Sequence, residues 1–144
     1  CKPVASLADL SHRIGVLAMT QLGDAIRDAT QGRAGRDALL AAAQAMRTFI
    51  EQHPGRYAAG DTARPTGPDD PLIPAGERVL ASLSAVLRGY DLDPADEIHA
   101  LRMIRSSLHG FATVEAAGGF MIDASVDDSF AWMVDLIDKG LQRR

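Results

Sequence analysis

The residues best equipped for chemistry in this chain are four histidines, a pair of arginines and one cysteine. Arg102, Arg105 and His109 follow one another at three- and four-residue steps, the spacing that aligns side chains along one stripe of a helix. Two guanidiniums and an imidazole so arranged can receive a carboxylate or phosphate, bidentately in the arginine case. The same stripe serves equally well as a solvated face, or in salt bridges to nearby acids. Asp9 and His12 are also three apart, but the chain holds no Glu-x-x-His pair of the kind a di-iron bundle needs. His12, His53, His99 and His109 lie at different helical positions without acids at ligand spacing. No glycine-rich phosphate loop follows a strand, and no serine sits in a nucleophile elbow. The single cysteine, Cys1, excludes an internal disulfide and any thiolate-rich metal site. These patterns call for no catalytic residue, no metal and no cofactor.

A second set has softer chemistry. His12, Val16, Met19, Met46, Phe49, Ile50 and Tyr57 offer an adaptable apolar lining with polar tips, suited to a hydrophobic small molecule. Methionines at helical spacing more often make ordinary core, and composition alone favours that reading.

The elements that must position these residues are helices. Alanine is abundant and β-branched residues are sparse. A first helix is expected over 7–29, opened by Ser6 with Asp9 at the capping-box position. Its main apolar stripe is Leu7, Leu10, Ile14, Leu17, Ala18 and Ala25, and a second stripe opposite carries His12, Val16, Met19, Gly23 and Ile26. A second helix follows over 37–52, with Leu39, Ala43, Met46 and Ile50 inward. One short helical turn is expected over 56–59, then an irregular mobile loop over 60–71, rich in proline and glycine. A third long helix spans 72–88 and carries Val79, Leu80, Leu83, Val86 and Leu87. A fourth opens at Asp93-Pro94-Ala95-Asp96, where Asp93 suits the cap and Pro94 the first turn. Its core stripe is Ile98, Leu101, Ile104, Leu108 and Phe111. A fifth opens at Ser125-Val126-Asp127-Asp128, a capping-box variant.

Two faces are too apolar for one neighbour. The last helix presents Val126, Phe130, Met133, Val134, Ile137 and Leu141, with Leu136 widening the arc, opposite Asp127, Asp128, Asp135, Asp138 and Lys139. The helix before it adds a seam of Met103, Gly110, Val114 and Ala117. Gly110 costs about 1 kcal/mol against alanine in a helix interior, which points to a close backbone approach there. A symmetric partner would cover both surfaces. The expected interface is therefore Met103, Gly110, Val114, Phe130, Met133, Val134, Ile137 and Leu141.

A length of 144 residues allows one well-buried domain. A net charge of −4, with basic residues spread among acids, argues against a stand-alone nucleic-acid binder. No apolar run approaches bilayer length and no signal peptide is visible, so no membrane partner and a cytoplasmic setting are expected.

Four stretches carry a resemblance: His53-Pro54-Gly55-Arg56-Tyr57; the Asp93-Pro94-x-Asp96 opening; His109-Gly110 followed by Glu115-x-x-Gly118-Gly119-Phe120; and Ser129-Phe130-x-x-Met133-Val134-x-x-Ile137-x-x-Gly140-Leu141. In order and spacing they resemble the C-terminal domain of tetracycline-repressor (TetR) family regulators, in the subgroup named for a Trp-His-Gly motif. Leu108 stands where that motif has tryptophan, and Trp132 is not its substitute. The resemblance implies an all-α fold of five main helices and a short connecting one, with the last two helices forming a dimeric four-helix bundle. It also implies a small-molecule effector in a pocket enclosed by the earlier helices, lined by the seven residues above with Leu83, Arg102, Arg105 and His109. Operator DNA would be reached only through an N-terminal helix-turn-helix absent from this sequence, with residues 1–5 as linker and 6–144 as the regulatory domain. A ligand-free dimerisation module and a small helical enzyme are the alternatives; a side-chain-filled interior would favour the first, a polar pocket with a positioned acid or base the second.

Overall fold

The computed structural model describes residues 2–143, and among them regular structure is entirely helical. The order is α1 (Leu7–Thr30), α2 (Gly35–Gln52), α3 (Pro54–Thr62), α4 (Leu72–Leu87), a single 3-10 turn (Arg88–Tyr90), α5 (Pro94–Ala116) and α6 (Val126–Gln142). That is five long helices and one short connector, α3. Three helix starts follow their side-chain caps. Ser6 accepts from the Asp9 amide at 3.1 Å, Asp93 from Ala95 at 3.0 Å and Ser125 from Asp128 at 3.2 Å. At the other end of α5, Gly118 takes a left-handed φ of 70°, and Gly119 N–H returns to Val114 O at 2.8 Å, stopping the helix.

One cluster of buried side chains runs through the molecule. Ala18, Leu22 and Ile26 of α1 meet Leu39, Ala43, Met46 and Ile50 of α2, Leu83 and Val86 of α4, Ile104 and Leu108 of α5, and Val134 of α6. The inward face of α1 differs from the expected one. Leu7, Leu10, Ile14 and Leu17 of the expected main stripe are exposed; Ala18 of that stripe is buried, together with Gly23 and Ile26 of the second stripe and with Gly15 and Leu22. The cause is backbone proximity. α3 and α4 both lie on α1, and glycine lets them come close. A Cβ at position 15 would stand 2.8 Å from the carbonyl oxygen of Ala59, and one at position 23 would stand 3.1 Å from Val79 N. Gly60 of α3 faces the same crossing, where an added Cβ would lie 3.2 Å from Gly15 O. Gly15→Val should therefore destabilise by about 2 kcal/mol through overpacking against backbone. Gly76→Ala, with open space around it, should be neutral or stabilising. Urea titration of both variants reads the difference.

Other expectations shift by a residue or a turn. The buried stripe of α5 is Ala100, Ile104, Leu108 and Ala112, a four-residue repeat, and Ile98 and Met103 are exposed. Leu80 is exposed on α4. Asp138 is not on a solvated face: it is buried, accepting from Tyr90 Oη at 2.7 Å and Gln142 Nε2 at 2.9 Å. Burial, then the bond to this carboxylate, raises the Tyr90 pKa. Residues 54–62, expected to hold only one turn and the start of a loop, form α3, because Pro54 fits a first helical turn and Gly60 serves the α1 crossing rather than a bend.

Candidate functional site

Tyr57 and Asp61 lie one turn apart on α3, and Arg105 and His109 one turn apart on α5. Because these helix segments run in opposite directions, the pairs meet as rungs. Tyr57 Oη is 2.7 Å from His109 Nδ1, and Arg105 donates to Asp61 Oδ1 at 3.3 Å. His109 Nδ1 stands 3.9 Å from the same carboxylate oxygen. The backbones of α3 and α5 make few close approaches, so side chains supply most of the bridging at this seam. Tyr57 is buried, and its phenol is pushed up to about 12, first by burial and then by the charge of Asp61. A phenol that keeps its proton donates it, which fits a His109 tautomer protonated on Nε2.

Two cavities flank the rungs and share Asp61. One, of about 270 Å³, is lined by Ile50, Pro54, Tyr57, Asp61, His109 and Thr113 among others. The second, of about 370 Å³, lies between α1, α3 and α4, with Met19, Asp61, Leu72, Ile73, Val79 and Arg105 in its wall. Most polar groups nearby are turned away from them. Thr62 donates to Ala58 O, Thr113 to His109 O, and Arg64 to the Asp61 and Ala63 carbonyls.

Of the expected pocket residues, Met19, Ile50, Tyr57, Arg105 and His109 line these two cavities. The others do not. Met46 and Leu83 are sealed in the core, and Phe49 packs on the His53 ring at 5.3 Å and borders a separate groove between α1 and α2. Val16 lines neither cavity, and Arg102 is exposed and borders neither. Asp61 went unnoticed in the sequence, although its place one turn after Tyr57 was the available signal.

His12 has a different task. Its Nε2 reaches the Asp70 carboxylate at 2.8 and 3.0 Å, and Asp70 also accepts from Thr66 N, Thr66 Oγ1 and Leu72 N. The segment between α3 and α4 is thereby tied to α1, not a free loop. The His12 bond, followed by the backbone amides of Leu72 and Thr66, holds the Asp70 pKa far below its ordinary range. A depressed folded-state pKa stabilises above the unfolded value, about 3.9, and that stability is lost as pH falls below it. Asp70→Asn should lower the melting temperature at pH 7 and flatten the loss between about pH 4 and pH 2. Melting curves across that range check it.

The expected interface residues divide in two. Phe130, Val134, Ile137 and Leu141 are buried among the chain's own helices, so a partner cannot reach them. Met103 and Val114 are exposed, and Gly110 and Met133 are half-buried. Among the described residues nothing approaches a Cβ built on Gly110, so its small size serves no contact with them. Trp132 and Leu136, beside them on α6, are also exposed. A groove of about 440 Å³ between α5 and α6 includes His99, Met103 and Gly140.

An all-helical domain with this element order is shared with known proteins. Residues 39–137 match the family described as Tetracyclin repressor-like, C-terminal domain. The chain belongs to that family. It is 37% identical over 142 residues, 98% of its length, to an uncharacterized HTH-type transcriptional regulator of Mycobacterium tuberculosis. It is 26% identical over 140 residues, 96% of its length, to another such regulator, from Bacillus subtilis. The chain spans 64% of the first relative's length and 71% of the second's. A solved structure of a protein of unknown function from Rhodococcus sp. RHA1 superposes with a TM-score of 0.82 at 21% identity, covering 99% of this chain and 76% of that one, and so shares the fold. Leu108, the residue before His109-Gly110, fills a buried core position. No helix among the described residues is long and apolar enough to cross a membrane.

Proposed function

We propose that this chain is the effector-sensing and dimerisation part of a TetR-like transcriptional regulator, and that the effector is a small hydrophobic molecule held at the α3–α5 seam. The observation carrying this reading is the seam itself: two largely apolar cavities separated by four polar side chains, where close backbone approaches between the two helices are few. A molecule seated there would alter the spacing of α3 and α5 and, through the Gly15–Gly60 crossing, the attitude of α1. Differential affinity for the two arrangements is what would couple the effector to operator binding by the whole regulator, through an N-terminal helix-turn-helix domain. Dimerisation is assigned to the exposed surfaces of α5 and α6, with Met103, Gly110 and Val114 on one and Trp132, Met133 and Leu136 on the other.

A thermal-shift screen of hydrophobic compounds tests the sensor reading. A binder should raise the melting temperature with the logarithm of its concentration, and Ala58→Trp, at the exposed edge of the smaller cavity, should weaken that response. A response undiminished in this variant would place the ligand elsewhere. The absence of any responding compound would favour a dimerisation module without effector.

A further inference from the structure

The polar groups around the two cavities point to the ligand's charge. Tyr57 is engaged with His109, and Thr62, Thr113 and Arg64 are spent on helix carbonyls. Asp61 is different. It lines both cavities and is 28% exposed, and its one hydrogen bond is the 3.3 Å contact from an arginine that is itself 57% exposed. Among the described residues no hydrogen-bond donor reaches Asp61 Oδ2. A partly buried carboxylate with spare acceptor capacity favours a charged donor over any other group. Its field is felt nearby: the negative charge of Asp61 outweighs the positive charge of Arg105 in raising the Tyr57 pKa. Arg64, Glu77 and Arg105, also in the wall of the larger cavity, sum to one positive charge, which Asp61 balances, so displacing the Arg105 guanidinium leaves the carboxylate free for another cation. An exposed, singly bonded arginine is easily displaced, because such pairs contribute little.

We infer that the seam takes a hydrophobic amine, with its apolar body in the cavities and its protonated nitrogen on Asp61 in place of the Arg105 guanidinium. This rests on the seam being the effector site. The ammonium would sit on the carboxylate beside the Tyr57–His109 pair, which lines the same cavity. A carboxylate ligand would meet Asp61 as a like charge, and an alcohol would leave the ion pair with Arg105 unchanged.

Three compounds sharing one body test this on the full 144-residue chain: 4-phenylbutylamine, 4-phenylbutan-1-ol and 5-phenylpentanoate at pH 7, by titration calorimetry. The amine should bind about tenfold more tightly than the alcohol, and the carboxylate most weakly. Asp61→Asn should bring the amine down to the level of the alcohol without changing the alcohol. Arg105→Ala, which removes the competing cation, should tighten the amine. Circular dichroism confirms that each variant is folded, and the Arg105→Ala result stands on its own if Asp61→Asn is not. Preference for the carboxylate, or an amine advantage untouched in both variants, would overturn the amine assignment and leave the seam as effector site. Failure of all three to bind would remove the amine assignment together with the site.

Discussion

Arg47→Ala is expected to lower the unfolding free energy by about 2–3 kcal/mol, the cost of opening a largely buried charge pair. Arg47 stands on α2 where α5 ends and α6 begins, and only 18% of its side chain is exposed. Its Nε and Nη2 grip both oxygens of Glu115 at 2.7 and 2.6 Å, and Nη2 also reaches Asp127 at 2.8 Å. The guanidinium lies over the Phe130 ring at 4.6 Å and near Phe111 at 5.7 Å. Phe111 in turn packs on Phe120 and Phe130. One side chain thus joins three helices, two of which, α5 and α6, make few close backbone approaches to each other. The alanine variant would leave Glu115 largely buried without its partner. Arg47→Lys should recover only part of the loss, since an ammonium cannot make the two-pronged contact. Asp127→Asn should cost little, because Asp127 is 86% exposed. Urea titrations of the three variants give the ranking, and equal small losses would show that the junction is held by apolar packing instead.

Trp132→Asp should dissociate the proposed dimer, weakening self-association on the order of 100-fold or more, because a central tryptophan is a typical interface anchor. Trp132 is 69% exposed in the single chain, and Leu136 one turn later is exposed with it. Neither residue holds the chain's own core, so the variant should remain helical while losing its partner. Sedimentation velocity over a concentration series reads the change. Leu10→Asp, on the exposed stripe of α1, is the matched control and should leave the assembly intact. The reverse pattern, dissociation by Leu10→Asp alone, would move the interface to α1.

The sequence foretold some of this better than the rest, for physical reasons. Local signals were legible: Ser6, Asp93 and Ser125 start helices by hydrogen bonds that span two or three residues. Asp70-Pro71 is the same kind of signal, with Asp70 accepting from Leu72 N as Asp93 does from Ala95 N. Surrounding prolines and glycines obscured it. The choice between the two faces of α1 was not local, because it depends on where α3 and α4 come close. The leucine stripe outweighs the glycine stripe in hydrophobicity and loses to it in packing. The same holds at the site. Tyr57 and His109 were each singled out by type, but their pairing across 52 residues needs the fold. His12 was drawn to the pocket by its helical neighbours, and its actual partner lies 58 residues away. On α6, one broad apolar arc was read as a single partner-facing surface. Folding divides it, with Phe130, Val134, Ile137 and Leu141 inward and Leu136 outward, where Trp132 is exposed as well.

Hydrogen exchange of the full chain, with and without the tightest compound from the thermal screen, tests the effector site most directly. Ligand at the seam should slow exchange in residues 54–62 and in the second half of α5, the helices that are bridged there mainly by side chains. Protection confined to the α1–α2 groove beside Phe49, or to the groove between α5 and α6, would contradict it.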